Sequence, residues 1–272
     1  MATEPRAPQR NYALPLTALG KTVIRWVHEC GAVTIFLIRS LLMIFGSKQM
    51  PLIVQQLYHI GARSAVIVMM VALFTGMVLG LQLYYTLVKL GSEGALGSVV
   101  ALSLVRELGP VLAAIMITAR AGSSMATEIG IQRISEQIDA LDTMGIDPLR
   151  YLVSPRIAAA IVSFPLLTAM YDLVGIGGGY ISAVALLGLN AGAYFDGVKT
   201  SVDIEDIMGG VIKSIAFAVI VSTICCFQGY FTHMRTDESH GAKAVGLSTT
   251  SAVVLSCVLI LVADYIITSF LV

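Results

Sequence analysis

The chain of 272 residues contains few charged residues, and this shortage indicates whether water or a lipid bilayer surrounds it. Only 12% of its residues are Asp, Glu, Lys or Arg, whereas 57% are hydrophobic. Soluble domains carry about 25% charged and about 45–50% apolar residues. A soluble globule of this size could not bury so much apolar surface, so we expect an integral membrane protein.

The chain also has no net charge and no evident metal-binding cluster or cysteine framework. Its 17 basic residues balance 17 acidic ones, so no basic field favours nucleic acid. The four histidines are scattered along the sequence. The cysteines lie in apolar segments without metal-ligand spacing, and we interpret them as small hydrophobic residues: Cys30, Cys225, Cys226 and Cys257. We predict no metal site and no nucleic-acid partner.

Motifs of catalysis and nucleotide binding are missing as well. The sequence contains no HExxH and no GxSxG. Gly20-Lys21-Thr22 looks like the end of a phosphate-binding loop, but Pro15 stands where the first glycine is required. We therefore predict no catalytic residue, no cofactor bound by this chain and no enzymatic activity of its own.

Five long apolar runs are present instead. A helix needs about 20 apolar residues to cross a bilayer. The five runs are Val66–Tyr85, Gly97–Ala119, Ile157–Leu187, Ser214–Thr232 and Ala244–Val272. They predict an all-α membrane protein with five transmembrane helices. The polar, proline-rich first residues do not resemble a signal peptide.

The distribution of Lys and Arg predicts the orientation. Residues 1–65, 120–156 and 233–243 together hold thirteen of them, and the alternate loops hold only Lys89 and Lys199. Because basic loops stay in the cytoplasm, we expect a cytoplasmic N-terminus and a C-terminus on the outer side of the membrane.

A different kind of helix precedes the first run. Apolar residues recur at spacings of three or four, and Lys21, Arg25, His28 and Arg39 fall on the opposite side. The apolar stripe comprises Leu19, Val23, Trp26, Cys30, Val33, Leu37, Leu41 and Ile44. This pattern predicts an amphipathic helix that lies at the membrane interface, and a sixth span is the alternative.

Breaking residues predict where this first part ends. Gly46, Pro51 and Gly61 should interrupt the chain before the first span. We accordingly divide the chain into an N-terminal tail with the interfacial helix, residues 1–61, and a five-span domain, residues 62–272.

The polar segment 120–156 is too long and too regular for a simple connection. Ile134, Ile138 and Leu141 follow a helical spacing, Gly145 suits a helix end, and Pro148 prevents continuation. The segment is either an ordinary cytoplasmic connection or a docking element for a cytoplasmic partner.

Two adjacent charges interrupt the second run. Arg106 and Glu107 lie about ten residues into the run, near the expected mid-depth, and Pro110 leaves the carbonyl of Arg106 without its helical donor. Charges at this depth must face protein or water. We expect partners for both on another helix, in either a substrate cavity or a structural ion pair.

Other polar and small residues in the spans have weaker implications. Asp172 and Asp264 are candidates for interhelical hydrogen bonds, and Lys213 is expected to snorkel to the interface. Two small-xxx-small pairs, Gly76 with Gly80 and Gly175 with Gly179, permit close helix packing or dimerisation.

Three stretches resemble one family. They are GMVLGLQLY at 76–84, ALSLVRELGPVLAAIMITARAGSSMATEIG at 101–130 and EQIDALDTMGIDPLRYLVSPR at 136–156. They are similar to the MlaE-type (YrbE-like) permeases, the membrane subunits of Mce-linked ABC lipid transporters. The resemblance extends over nearly the whole chain.

The resemblance implies a function and an assembly. The chain would be the permease of an ABC transporter that moves phospholipid between the inner and outer membranes of a bacterium. It would form a homodimer in the inner membrane, with its C-terminus in the periplasm, and bind a cytoplasmic ABC ATPase, which holds ATP and Mg. A periplasmic ring of Mce-domain subunits and a STAS-domain subunit would complete the complex.

The resemblance also implies site residues at matching positions. A coupling helix at Ile131–Gly145 would enter the ATPase, with contacts from Glu128, Arg133, Glu136, Gln137, Asp139, Asp142, Asp147 and Arg150. A lipid cavity at the dimer interface would be lined by Gln82, Tyr84, Arg106, Glu107 and Leu108. We add Leu79, Leu83 and Leu104 as apolar surface for acyl chains. An ion-coupled secondary transporter and a membrane anchor for a periplasmic assembly remain the alternatives.

Overall fold

The computed structural model describes residues 15–44, 49–234 and 241–271, which are helical and contain no strand. In chain order the helices are α1 Pro15–Leu42, α2 Met50–Lys89, α3 Glu93–Ile134, α4 Gln137–Thr143, α5 Leu149–Leu186, α6 Ala191–Ser201, α7 Ile204–Tyr230 and α8 Ala242–Leu271. Five of them, α2, α3, α5, α7 and α8, are long and apolar enough to cross a membrane. The predicted count of five spans is confirmed.

Three of these helices are much longer than the apolar runs that predict them. α2 has 40 residues, α3 has 42 and α5 has 38. At 1.5 Å per residue each is about 60 Å long, about twice the hydrocarbon thickness of a bilayer. The helices therefore extend beyond the membrane core, where they position the polar residues that follow.

The spans differ in how far the bundle encloses them. In α7, 67% of the helix's most apolar stretch is buried inside the bundle. In α8, only 11% of the corresponding stretch is buried. α7 packs against α3, α5 and α8, whereas α2 packs mainly against α5. α7 therefore lies in the centre, and α8 leaves most of its surface uncovered.

The glycine pairs are used inside the chain. A Cβ at Gly76 would overlap the carbonyl oxygen of Gly175, and a Cβ at Gly80 would overlap Ser182 and lie 3.0 Å from the carbonyl oxygen of Gly179. The absence of side chains thus lets the backbones of α2 and α5 touch. Of the two uses predicted for these glycines, the structure shows intramolecular packing.

The bundle has two distinct ends. The connection from α2 to α3 and the helix α6 lie at one, which we call the α6 end. At the other, the α4 end, α4 follows α3 and α1 packs near the end of α7. The spans alternate in direction, so α3 runs from the α6 end to the α4 end.

α1 is joined to the bundle through its second half. Phe36 is 5% exposed and its ring lies 5.5 Å from Phe227 and 5.9 Å from Tyr230. Of the predicted stripe, the later residues pack against the core, namely Val33, Leu37, Leu41 and Ile44, whereas Val23 and Cys30 are exposed. The side chains of Leu19 and Trp26 lie outside the described part.

Of the breaks predicted before the first span, the one at Gly61 is wrong, whereas Pro51 lies where a new helix begins. Pro51 occupies the first turn of α2, where a missing N–H costs nothing, and Gly61 lies in a π-helical turn inside α2. The helix therefore runs through the boundary we placed after residue 61. Gly46 and residues 1–14 lie outside the described residues.

The segment predicted as one coupling helix, Ile131–Gly145, is two elements. α3 continues to Ile134 because its last turns still pack against α7 and α8. Glu136 then adopts a left-handed conformation with φ of 58°, and α4 begins at Gln137. Gly145 ends α4 at φ 73°, as predicted.

Candidate functional site

The π-helical turn Leu104–Leu108 of α3 lies just before Pro110 and contains the backbone carbonyl group of Arg106. Proline has no N–H for the carbonyl of Arg106, and the structure supplies another donor. Lys213 of α7 donates from Nζ to this carbonyl oxygen over 2.9 Å. The freed carbonyl predicted from the sequence is thus satisfied by a cation of a neighbouring span.

Both charges of α3 have partners on other helices, as expected. Nε of Arg106 donates to Oδ1 of Asp206 over 2.6 Å. Glu107 accepts from Nζ of Lys213 over 2.8 Å and from the hydroxyl of Thr268 over 3.2 Å. Nζ of Lys213 also lies 3.1 Å from Oδ1 of Asp264. These residues connect α3, α7 and α8, and we call them the ion-pair cluster.

A cavity of about 490 Å³ opens beside this cluster. Its walls include Arg106, Glu107, Asp206 and Lys213, together with Met208 and Ile212. The cavity therefore offers both charged groups and apolar surface. The Arg106 side chain remains 53% exposed, although its Nε is already bonded to Asp206. Its terminal nitrogens can still donate to a ligand.

The structure corrects one expectation about these charges. Lys213 does not snorkel, because its side chain is 3% exposed and is held between two carboxylates and a carbonyl. Along the bundle, the ion-pair cluster is closer to the α6 end, because Asp206, the partner of Arg106, belongs to the first turn of α7.

Sequence reasoning missed Asp206 and Thr268. Asp206 also accepts from the backbone N–H of Asp203 and so completes the N-terminal cap of α7. The run Asp203, Glu205, Asp206 before an apolar segment signals a helix start, but nothing in it indicates Arg106 as a partner. Thr268 gives no signal, because threonine is ordinary in a transmembrane helix.

The other predicted lipid-binding residues lie elsewhere in the chain. Leu104 is fully buried and packs where Gly175 leaves space. Leu79, Leu83, Tyr84 and Leu108 are partly buried against the core, and Gln82 is exposed on α2. Within one chain, the 490 Å³ cavity brings together only Arg106 and Glu107 of the eight predicted residues.

The two membrane aspartates behave differently. Asp264 of α8 contacts Lys213 of the neighbouring helix α7 over 3.1 Å. Asp172 lies beside a separate, apolar cavity of about 320 Å³, and its buried Oδ1 has no hydrogen-bond partner among the described residues. A Cβ at Gly109 would overlap this oxygen, so the glycine makes room for the carboxyl group.

The predicted ATPase-coupling residues cluster at the α4 end. Most of them are exposed, namely Glu128, Glu136, Gln137, Asp139, Asp142, Asp147 and Arg150, whereas Arg133 is half-buried. Glu128 is tied to the buried Arg156 over 3.0 Å. The surface around α4 is therefore acidic and accessible in the single chain.

Arg133 links three elements beneath this surface. It donates from Nη1 to Asp139 of α4 over 2.7 Å and from Nε to Nδ1 of His233 over 2.9 Å. Its guanidinium also lies 5.6 Å from the ring centre of Tyr230. Partial burial and the nearby Arg133 lower the pKa of His233 below its usual 6.5, which favours the neutral ring that can accept from Arg133.

Comparison with known proteins identifies the family. The sequence profile of the family "Permease MlaE" matches residues 53–270. The chain belongs to the MlaE permease family. The resemblance stated from residues 76–156 is thereby confirmed. The ion-pair cluster and α4 both fall inside the matched range.

Relatives of this MlaE-family permease come from distant organisms. A probable ABC transporter permease of Rickettsia felis is 40% identical over 92% of this chain and 95% of its own length. The intermembrane phospholipid transport system permease MlaE of Haemophilus influenzae is 37% identical over 94% and 97%. The chloroplastic protein trigalactosyldiacylglycerol 1 of Arabidopsis thaliana is 37% identical over 79% and 60%. With five apolar helices, the MlaE-family chain is a multi-pass membrane permease.

Proposed function

We propose that this chain is the membrane subunit of an ABC transporter that moves phospholipid between the inner and outer membranes. The observation that carries the proposal is the alignment with the Haemophilus relative, which is named for intermembrane phospholipid transport and matches over 94% of this chain. The cavity beside the ion-pair cluster supplies the structural counterpart. Its walls combine charged and apolar side chains, as an amphiphile requires.

The Arg106 guanidinium is the proposed contact for the lipid phosphate. It keeps unbonded N–H groups although Asp206 already fixes its orientation. A guanidinium can donate two parallel hydrogen bonds to a phosphate. Glu107 is held through its carboxylate by Lys213 and Thr268. Its role in this proposal is to anchor α3 to α7 and α8.

A second copy of the chain would complete the lipid site. α8 is only 11% buried in its apolar stretch, and the cavity between α7 and α8 is open on the outside. Charged walls facing lipid are costly, so a homodimer that covers this side is favoured. In the dimer, the lipid is proposed to have further contacts or supports from Gln82, Tyr84, Leu79, Leu83, Leu104 and Leu108.

The α4 end is the proposed docking surface for a separate ABC ATPase. Glu136, Gln137 and Asp142 are exposed on or beside α4, and Asp147 and Arg150 follow it. The energy would come from ATP and Mg bound to that ATPase, since the chain offers no phosphate-binding loop of its own.

The remaining assembly follows the family resemblance. The permease would lie in the bacterial inner membrane with the α4 end in the cytoplasm, in line with the thirteen basic residues on that side. α1 would lie at the cytoplasmic interface. A ring of Mce-domain subunits would contact the α6 end, and a STAS-domain subunit would bind the ATPase.

A photo-crosslinking experiment tests the lipid site. With a photoreactive amino acid at Met208 in the cavity wall, we expect phospholipid to be labelled in membranes of the producing cell. Arg106→Gln should reduce labelling several-fold, whereas Arg39→Gln, which removes an equal charge from α1, should leave it unchanged. Equal labelling in Arg106→Gln would show that Arg106 serves only the ion pair.

Charge reversal tests the docking surface. Glu136→Lys with Asp142→Lys should abolish co-purification of the ATPase without lowering the unfolding temperature of the permease. Glu93→Lys, an exposed acidic residue at the α6 end, is the matched control. Retention of the ATPase by the double variant would remove α4 from the interface.

Two alternatives give different results. An ion-coupled transporter, for which Asp172, Glu107 and Asp264 would be the proton sites, would move lipid in response to a proton gradient without ATP. A membrane anchor would move none. Lipid transfer between reconstituted vesicles that depends on both ATP and the ATPase supports the ABC permease over both.

A further inference from the structure

A second polar cavity lies at the α4 end, between α2 and α3. Its volume is about 90 Å³, and Arg63, Arg120 and His59 are among its lining residues. Arg120 lies fourteen positions after Arg106 in α3, which corresponds to about 21 Å along the helix axis. The cavity is thus distinct from the ion-pair cluster and has no part in the proposed function.

The charges around this cavity are not balanced. Nη1 of Arg120 donates to the carbonyl oxygen of His59 and to the hydroxyl of Ser64, both over 3.2 Å. Nη1 of Arg63 lies 3.4 Å from Nδ1 of His59. Among the described residues, neither arginine forms an ion pair with a carboxylate. Two guanidinium groups therefore keep donors for an anion.

The acidic residue in the lining is already engaged. Glu128 accepts from Arg156 over 3.0 Å and from the hydroxyl of Ser124 over 2.7 Å. Arg156 is 4% exposed, so this pair is partly buried in the protein. Glu128 therefore neutralises Arg156 rather than Arg63 or Arg120, and the cavity keeps a net positive charge.

The position of the arginines suits the headgroup layer. Arg63 lies three positions before the apolar run 66–85, and Arg120 directly follows the run 97–119. Both lie where the hydrocarbon core gives way to phosphate groups. An arginine that merely reaches for the headgroup layer needs no cavity, whereas here two arginines and a histidine surround a small one. Its size suits a phosphate group and not an acyl chain.

We propose that Arg63 and Arg120 form a binding site for a phosphate group at the α4 end. Either the phosphate of an anionic phospholipid in the adjacent leaflet or free inorganic phosphate has this chemistry. Arg120 is the fixed donor, since two protein oxygens orient it, and the exposed Arg63 closes over the anion. The bound phosphate links α3 to the first turns of α2, which lie outside the bilayer core.

Ligand-dependent stability tests this site, because a ligand that binds only the folded state raises the unfolding temperature. The full chain in maltoside detergent is titrated with dihexanoyl-phosphatidylglycerol or with inorganic phosphate, and sodium chloride controls for ionic strength. Arg63→Gln should need a roughly tenfold higher ligand concentration for the same rise in unfolding temperature, since hydrogen bonds to a charged group are lost. Arg63→Lys should recover part of the effect, and Arg39→Gln should behave as the unmodified chain.

The probes distinguish the sources of the anion. A response to both assigns a general phosphate site, and a response to the lipid alone assigns a headgroup site. In Arg106→Gln, the rise in unfolding temperature that depends on Arg63 should persist. This test therefore remains valid even if the proposed lipid site at Arg106 is wrong. The proposal is overturned if the unmodified chain responds to neither probe, or if Arg63→Gln responds as the unmodified chain does.

Discussion

At the scale of residues, the sequence identified charges that need partners, and the fold supplied them. Arg106 and Glu107 are adjacent in the chain, so their side chains point in different directions along a helix. Asp206 and Lys213 satisfy them from α7, and Lys213 additionally takes the carbonyl that Pro110 leaves free. The sequence shows that these two charges need partners, because both stand within a single apolar run. It does not show which residues the partners are, because they lie about 100 residues further along the chain.

Lys213 is the residue whose loss should be most costly in this cluster. In Lys213→Met, Glu107 and Asp264 lose the cation between them, and the Arg106 carbonyl loses its donor. We expect a loss of about 3 kcal/mol of unfolding free energy, at the low end for a broken buried pair because Glu107 is partly exposed. Thermal unfolding in detergent measures it.

The matched variant removes the carboxylate charges too. Lys213→Met with Glu107→Gln and Asp264→Asn should recover most of the lost stability, because no unpaired charge then remains. A single Lys213→Met variant as stable as the unmodified chain would contradict the ion-pair interpretation.

His233 makes stability depend on pH. Its pKa in the folded chain lies below the usual 6.5, so the unfolded chain binds a proton first as the pH falls. The stability due to neutral His233 is fully present above about pH 6.5 and is lost as the pH falls through the lowered pKa. We expect the unfolding temperature of the unmodified chain to fall more between pH 7.5 and 5.5 than that of His233→Gln. Parallel curves for the two proteins would mean that His233 does not titrate in this range.

At the scale of elements, periodicity and apolar length predict which segments are helices but not where they end. The five spans were found from composition alone, yet α2 and α3 extend well beyond their apolar runs. The extensions pack against other helices, and this support is invisible in a local pattern. Gly229 shows the effect, because a Cβ there would lie 2.7 Å from the carbonyl oxygen of Ala126 in α3.

The contact of α2 with α5 should be intolerant of any side chain. In Gly76→Ala the new methyl group meets the carbonyl oxygen of Gly175, and backbone atoms cannot move aside cheaply. We expect a loss of about 3 kcal/mol or more, seen as a lower unfolding temperature and a lower yield of folded protein.

Gly177 is the matched control for this substitution. It lies on α5 near Gly175, but nothing is within 4 Å of a Cβ placed there. Gly177→Ala should be tolerated, because it adds a methyl group to open space. If both alanine variants unfold at the same temperature, the close approach of α2 and α5 does not decide stability.

At the scale of the whole molecule, burial is uneven among the spans, and the proposed homodimer would cover the open one. α7 is central, whereas α8 is open and forms one wall of a charged cavity. A cysteine at Val258 on the exposed face of α8, in a chain without its other cysteines, should form disulfide-linked dimers in native membranes. A cysteine at Leu166 on α5, which is 62% exposed, is the control. Equal crosslinking from the two positions would argue against a dimer through α8.

The sequence by itself determined the solvent, the number of spans and the positions that demand an explanation. These follow from hydropathy and helix geometry, which act over a few turns. Only the tertiary structure decided that Lys213 is buried between carboxylates, that α3 continues beyond the bilayer core and that Arg63 meets Arg120. Those outcomes depend on side chains brought together from distant parts of the chain, because a polar group in a membrane must find its partner on whichever helix packs beside it.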